Sequence, residues 1–284
     1  MVARSMETYA TTVYVISEEI LRILGITDNP QSLMSNAEIM TFAILSARYF
    51  TSNHKMTRYI CKRLRLFKVV LSTSRINRRI HQIPWNCWHA VFRFLALFFK
   101  QTASDKIFAV DSFPVSCCQK NRIDKRKFFL KREYLGYAAS KKRYFCGIKV
   151  HMVVTGDGKP IEIHFKPGSQ SDLNVLWNME LDIPIGSELY ADGAYNCFDL
   201  EDILEEEGIK LLTKRGSAAT NRLRSVFEEK VISSRRQIVE TAFSCITGLF
   251  PKNLKVRTEA GFLIKIFCSV LAYSVSHICK GSLA

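Results

Sequence analysis

The apolar residues change period near residue 104, and that change limits what the chain can fold into. Up to Lys100 they recur every three or four positions, as one face of a helix requires. Val13, Ile16, Ile20, Leu21 and Leu24 make one such stripe. Ser35 followed by Glu38 spells a capping box that opens a helix through Arg48. Met56, Ile60 and Leu64 share one side of a helix over residues 54–67. A short basic helix from Arg75 is stopped by Pro84, and a strongly apolar one follows from Trp85 to Lys100.

After Ser104 alternation replaces the helical period. Ile107 to Val110 reads as a short buried strand ending at Asp111. Residues 145–155 alternate, with Ile148, Val150, Met152 and Val154 on one side and Lys149 and His151 on the other. Gly156-Asp157-Gly158 turns the chain into a returning strand with Ile161, Ile163 and Phe165. A helix from Ser171-Asp172, a strand from Glu188 to Ala191, an acidic helix closed by Gly208 and a strand from Ile209 to Leu212 follow. Helices over residues 235–250 and 259–279 complete the chain. The order predicts an α/β fold in which early antiparallel strands and later helix-linked parallel strands share one mixed sheet. It divides the chain into an all-helical N-terminal domain, 1–104, and a sheet domain, 105–284. The latter includes an insertion, 114–144, and the C-terminal helix, 259–279.

Charge narrows the function. Forty-one Lys and Arg against 26 Asp and Glu give a net charge of +15, which calls for a polyanionic partner. Between Glu38 and Asp105 there is no acidic residue. That stretch carries Arg48, Lys55, Arg58, Lys62, Arg63, Arg65, Lys68, Arg75, Arg78, Arg79, Arg93 and Lys100. A second basic run, from Arg122 to Arg143, includes Lys125, Arg126, Lys127, Lys141, Lys142 and Arg143, with Phe128, Phe129, Tyr134, Tyr137 and Tyr144 interleaved. Basic groups hold phosphates and rings stack on bases, so double-stranded DNA is the expected partner. Nine cysteines, an odd count without C-x-x-C spacing, read as reduced thiols of a cytoplasmic, nucleoid-associated protein. No membrane partner is expected, because every long apolar run carries a charge. Phosphate-loop, G-x-S-x-G and H-E-x-x-H motifs are absent from the sequence.

Three acids stand out by position. Asp111 and Asp192 close strands, and Glu240 lies one helical turn after Arg236. Each has an ordinary reading on its own, as a turn residue or a helix ion pair. Together they suit a site for two Mg²⁺ ions, with Mn²⁺ as the alternative, because hard cations take oxygen ligands and two such ions drive displacement at phosphorus. Arg235, Arg236, Lys214 and Arg215 are the expected phosphate contacts beside them.

The sequence around these acids resembles the DDE transposases of bacterial insertion sequences, and within them the insertion-sequence nine-eighty-two group. The stretches that carry the likeness are Ala109-Val110-Asp111-Ser112, Tyr190-Ala191-Asp192-Gly193-Ala194-Tyr195 and the run from Arg235 to Ser244 around Glu240. Cys146 to His151, Pro167-Gly168-Ser169 with Asp172, and Gly261-Phe262 add to it. Ser233 and Thr247 stand where related families place a Tyr and a Lys. The resemblance implies an RNase H-like core, with Asp111, Asp192 and Glu240 as catalytic metal ligands. It also implies cleavage at element ends, joining to target DNA, and a homodimer or larger assembly on DNA. A metal-dependent nuclease on the same core, or a DNA-binding protein with an idle site, are the alternatives.

Overall fold

The computed structural model describes residues 2–117, 129, 131–138, 142–215, 221–251, 254 and 258–281. Two compact units form, Met1–Leu95 with Cys245–Ala284, and Ala96–Ser244.

The first unit is helical. It contains α1 (Val2–Ile23), α2 (Asn36–Phe50), α3 (His54–Arg63), α4 (Thr73–Gln82), most of α5 (Trp85–Gln101) and α9 (Glu259–Gly281). The capping box closes as expected: Glu38 N–H donates to Ser35 Oγ at 3.1 Å, and Ser35 N–H donates to Glu38 Oε2 at 2.7 Å. Helix α2 is buried on nearly all sides, from Ala37 to Ala47. It packs against α1 and α9, and the Tyr9 hydroxyl donates to the Ala272 carbonyl at 2.8 Å. The expected boundary assigned residues 259–279 to the sheet domain. Here α9 belongs with the helices, because Phe262, Ile266, Phe267, Val270 and Leu271 are buried and Phe267 meets Trp85 at 4.9 Å. By length and composition α9 could cross a membrane; its apolar surface is the kind a core helix buries.

The second unit holds the sheet: β1 (Ile107–Ser116), β2 (Leu135–Ala138), β3 (Arg143–Thr155), β4 (Pro160–Pro167), β5 (Ser187–Ala191) and β6 (Ile209–Thr213). Its helices are α6 (Asp172–Trp177), α7 (Phe198–Glu206) and α8, which begins here and spans Val226–Gly248. The strands run β2-β3-β1-β5-β6, with β4 also on β3. Pairing is antiparallel for β1–β3, β2–β3 and β3–β4, and parallel for β1–β5 and β5–β6, the mixed sheet read from the sequence.

Three boundaries differ from expectation. Strand β1 continues past Asp111, because β3 stays paired with it as far as Ser116 opposite Gly147. Strand β2 lies in the stretch expected to be an insertion. Helix α8 begins at Val226 rather than Arg235, its first turn carrying Glu228 and Glu229, which suit the positive end of the helix dipole.

Candidate active site

The parallel ladder between β1 and β5 ends at Val110 opposite Ala191. The next residue of each strand is an aspartate, Asp111 and Asp192, so the sheet sets the two side by side at the carboxyl edge. That edge is where open α/β sheets handle ligands. Asp192 also caps a short 3-10 turn, Gly193–Tyr195, its Oδ1 accepting Gly193 N–H at 2.7 Å. The bare Cα of Gly193 suits the spot, since a Cβ would press on the Lys214 carbonyl at 3.3 Å.

Helix α8 brings the third acid. It lies on the face of β1 that bears Asp111 and Phe113, and Phe243 meets Phe113 at 4.6 Å. One turn before Glu240, the Arg236 guanidinium gathers all three carboxylates. It stands 3.3 Å from Asp111 Oδ2, 3.3 Å from Asp192 Oδ1 and 3.4 Å from Glu240 Oε1. The acids chosen from sequence thus converge across the fold. Arg236 Nε is buried without an acceptor.

One guanidinium does not neutralise three carboxylates. Burial pushes the Asp111 carboxyl up to about 6; the Ser112 N–H and Arg236 pull it down, and Asp192 and Asp172 push it further up. Among the described residues no three His, Cys, Asp or Glu side chains stand at metal-holding distances. The donor set is nevertheless all oxygen and short of positive charge, which is the chemistry a hard divalent cation matches. Asp111, Asp192 and Glu240 would hold such an ion.

Behind Asp111 lies a group of residues that the sequence reading did not assign to the site. Asp172 Oδ1, at the start of α6, accepts from Ser112 Oγ at 2.7 Å and from Lys149 Nζ at 3.1 Å. His151 Nδ1 is 3.8 Å from the same oxygen. Burial lowers the His151 pKa to about 4, against the pull of Asp172, so the ring is neutral at pH 7. Lys149 and His151 on the face of β3 opposite its apolar residues were the available signal. Antiparallel register sets Ser112 across from His151. Tyr195, wholly buried, completes the group, its hydroxyl held protonated by burial and by Asp111, Asp172 and Asp192.

The expected phosphate contacts divide. Lys214 is exposed, while Arg235 is half-buried and its charge acts on Tyr190. Arg215 is not available to DNA. Its guanidinium bonds Glu201 at 2.6 and 2.7 Å and Thr213 at 3.0 Å, and lies 5.0 Å from the Phe198 ring. The pair closes the end of β6 against α7, a structural role that sequence spacing did not reveal. Lys142, just before β3, and Arg143, its first residue, are exposed. Lys125, Arg126, Lys127 and Lys141 lie outside the described residues.

A family model described as a transposase DDE domain matches residues 101–250, more than half of the chain. The chain belongs to the DDE transposase family. The DDE match spans the whole sheet and all of α8, and therefore all three acids. No curated protein matches. Among solved structures, the DDE chain is similar to one described as the cryo-EM structure of piggyBac transposase synaptic complex with hairpin DNA. The TM-score is 0.52 at 11% identity, covering 97% of this chain and 73% of that one. At that identity the likeness is one of fold: a helical N-terminal region followed by an RNase H-like transposase core. Divalent metal use is what the DDE family implies.

Proposed function

We propose that this chain is the transposase of an insertion sequence, of the nine-eighty-two type, acting as a dimer or larger assembly on DNA. It cuts DNA at the ends of its element and joins the exposed 3′-hydroxyl to target DNA. The observation that carries the reading is the meeting of Asp111, Asp192 and Glu240 around Arg236 at the carboxyl edge of β1 and β5. Asp111, Asp192 and Glu240 would hold two Mg²⁺ ions, or Mn²⁺, which would supply charge neutralisation and activation of the attacking oxygen for displacement at phosphorus.

The chain's own residues arrange the rest. The backbone N–H groups of Ser112 and Gly193 each hold one carboxylate oxygen, at 2.7 Å in both cases, so Asp111 and Asp192 present fixed orientations. Glu240 comes from a helix surface, is more than half exposed and is the acid freest to move. Arg236 offsets part of the negative charge of the three acids and would face a phosphate bound there. Lys214, next to Gly193, extends the positive charge along the edge.

The test is a duplex carrying the element end, incubated with Mg²⁺ and target DNA. Wild-type protein gives cleaved and joined products. Asp111→Asn, Asp192→Asn and Glu240→Gln each keep end binding and lose both products. Cleavage without joining by wild-type protein would favour a nuclease, and near wild-type cleavage by any of the three variants would remove that acid from the site.

A further inference from the structure

The helical unit sorts its basic residues into two kinds. Some are used to build it. Arg58 Nε donates to the Leu71 carbonyl at 2.8 Å and pins the turn between α3 and α4. Arg79 donates to Ser32 Oγ at 2.9 Å and Asn36 Oδ1 at 3.0 Å, with Asp28 at 3.9 Å. Arg48 lies 5.6 Å from the Tyr49 ring. Others stand at the surface, and on α4 they share one side. Ile76 and Ile80 anchor that helix in the core. Ser74, Arg75, Asn77, Arg78, His81 and Gln82 are all exposed. Their spacing is that of a single helix face. Ser72 caps the helix start, accepting the Arg75 N–H.

We propose that α4 is the element that reads bases at the DNA end, lying in the major groove with Arg75, Asn77 and Arg78 toward the base edges. This rests on the transposase reading above. Arginine pairs its two donors with guanine, and Asn or Gln pairs with adenine; a ten-residue helix fits the groove. A face meant only to grip phosphate needs charge and not amides, and this one mixes Arg with Asn, His and Gln. Its surroundings favour a polyanion. The only acid in residues 36–104, Glu38, is used in the cap of α2. A cavity of about 690 Å³ between α4 and α9 is lined by Asn77, His81, His54 and Lys265 and, among the described residues, by no acid. Exposed Lys62, Arg63, Arg65 and Lys68, at the end of α3 and in the following turn, serve as phosphate contacts that set the helix in register.

The experiment is selection of bound duplexes from a random pool by the full-length chain. Wild type is compared with Asn77→Ala, Arg78→Lys and Lys68→Ala, each checked for helix content by circular dichroism. Arg78→Lys keeps the charge and removes the two-pronged donor. Wild type enriches a motif. Asn77→Ala and Arg78→Lys each lose preference at one or two adjacent positions by about 5- to 150-fold, while affinity for random duplex stays within about twofold. Lys68→Ala weakens selected and random duplex alike, with a salt slope smaller by about 0.9. An unchanged motif in folded Asn77→Ala and Arg78→Lys would overturn the assignment, as would equal weakening on every sequence. Failure of the transposase reading itself would show in wild type, as no motif at all.

Discussion

Asp111→Asn should make the metal-free protein more stable at neutral pH. Burial holds the Asp111 carboxyl at about 6 against an ordinary value of 3.8. The folded chain therefore binds that proton more tightly than the unfolded chain. Below about pH 4 both forms are protonated and the advantage to folding is complete; it drains away as pH rises to about 6 and is gone above. At pH 7 the fold thus carries an ionised group it holds poorly. Keeping a carboxyl so raised in its ionised form costs roughly 2–3 kcal/mol, which an amide of the same shape recovers. The Asn Oδ1 still accepts the Ser112 N–H, and Arg236 keeps Asp192 and Glu240. Urea unfolding in chelator, followed by circular dichroism at pH 7 and pH 4, measures this. The variant should exceed wild type by that amount at pH 7 and match it at pH 4. Added Mg²⁺ should stabilise wild type and narrow the gap. Equal stability at pH 7, or a gain that persists at pH 4, would show that the Asp111 charge is already compensated and would refute the reasoning.

Arg236→Gln should destabilise the metal-free protein by about 1–3 kcal/mol and increase the stabilisation gained from Mg²⁺, because the cation no longer competes with a guanidinium; thermal melts with and without Mg²⁺ read both. Asp172→Ala leaves Lys149 half-buried without its carboxylate and should cost about 3 kcal/mol, part of which Lys149→Met added to it recovers; a double variant no better than the single one in urea unfolding would place the loss elsewhere. Arg215→Ala should cost about 3 kcal/mol, since the buried Glu201 carboxylate loses its main partner and keeps only the Thr213 hydroxyl and Arg222 at 3.7 Å, with unchanged salt dependence of DNA binding in the folded fraction; a flatter salt slope in binding titrations would return Arg215 to the DNA surface.

The strand reading found Asp111 and Asp192 because both follow short apolar runs, and those runs are the paired part of the parallel ladder. It stopped β1 too early because the apolar run ends at Asp111, whereas the strand goes on through Pro114 to Ser116. Beyond Val110 that strand has β3 on one side and no described strand on the other, so it is an edge, where proline is tolerated. The start of α8 was missed because Val226 and Phe227 are exposed and break the apolar stripe. The partners of α9, and the tie between Arg215 and Glu201, depend on contacts across the fold that periodicity does not encode. Asp172 was visible as the start of a helix and as part of the family likeness, but not as a partner of Ser112 and Lys149. Its link to Ser112 exists because β1 and α6 meet in space.

The ladder rung that ends at Val110 and Ala191 has a consequence for how such chains diversify. The distance along the chain between the two aspartates is set by the loops, strands and helix strung between them; their distance in space is set by one register. A residue added to or removed from a connecting segment leaves that register, and so both carboxylates, in place. A shift of a single residue in β5, by contrast, would carry Asp192 off the edge while leaving the chain's composition and length intact. The register of five-residue strands therefore sets the site, and the length of the segments that join them does not.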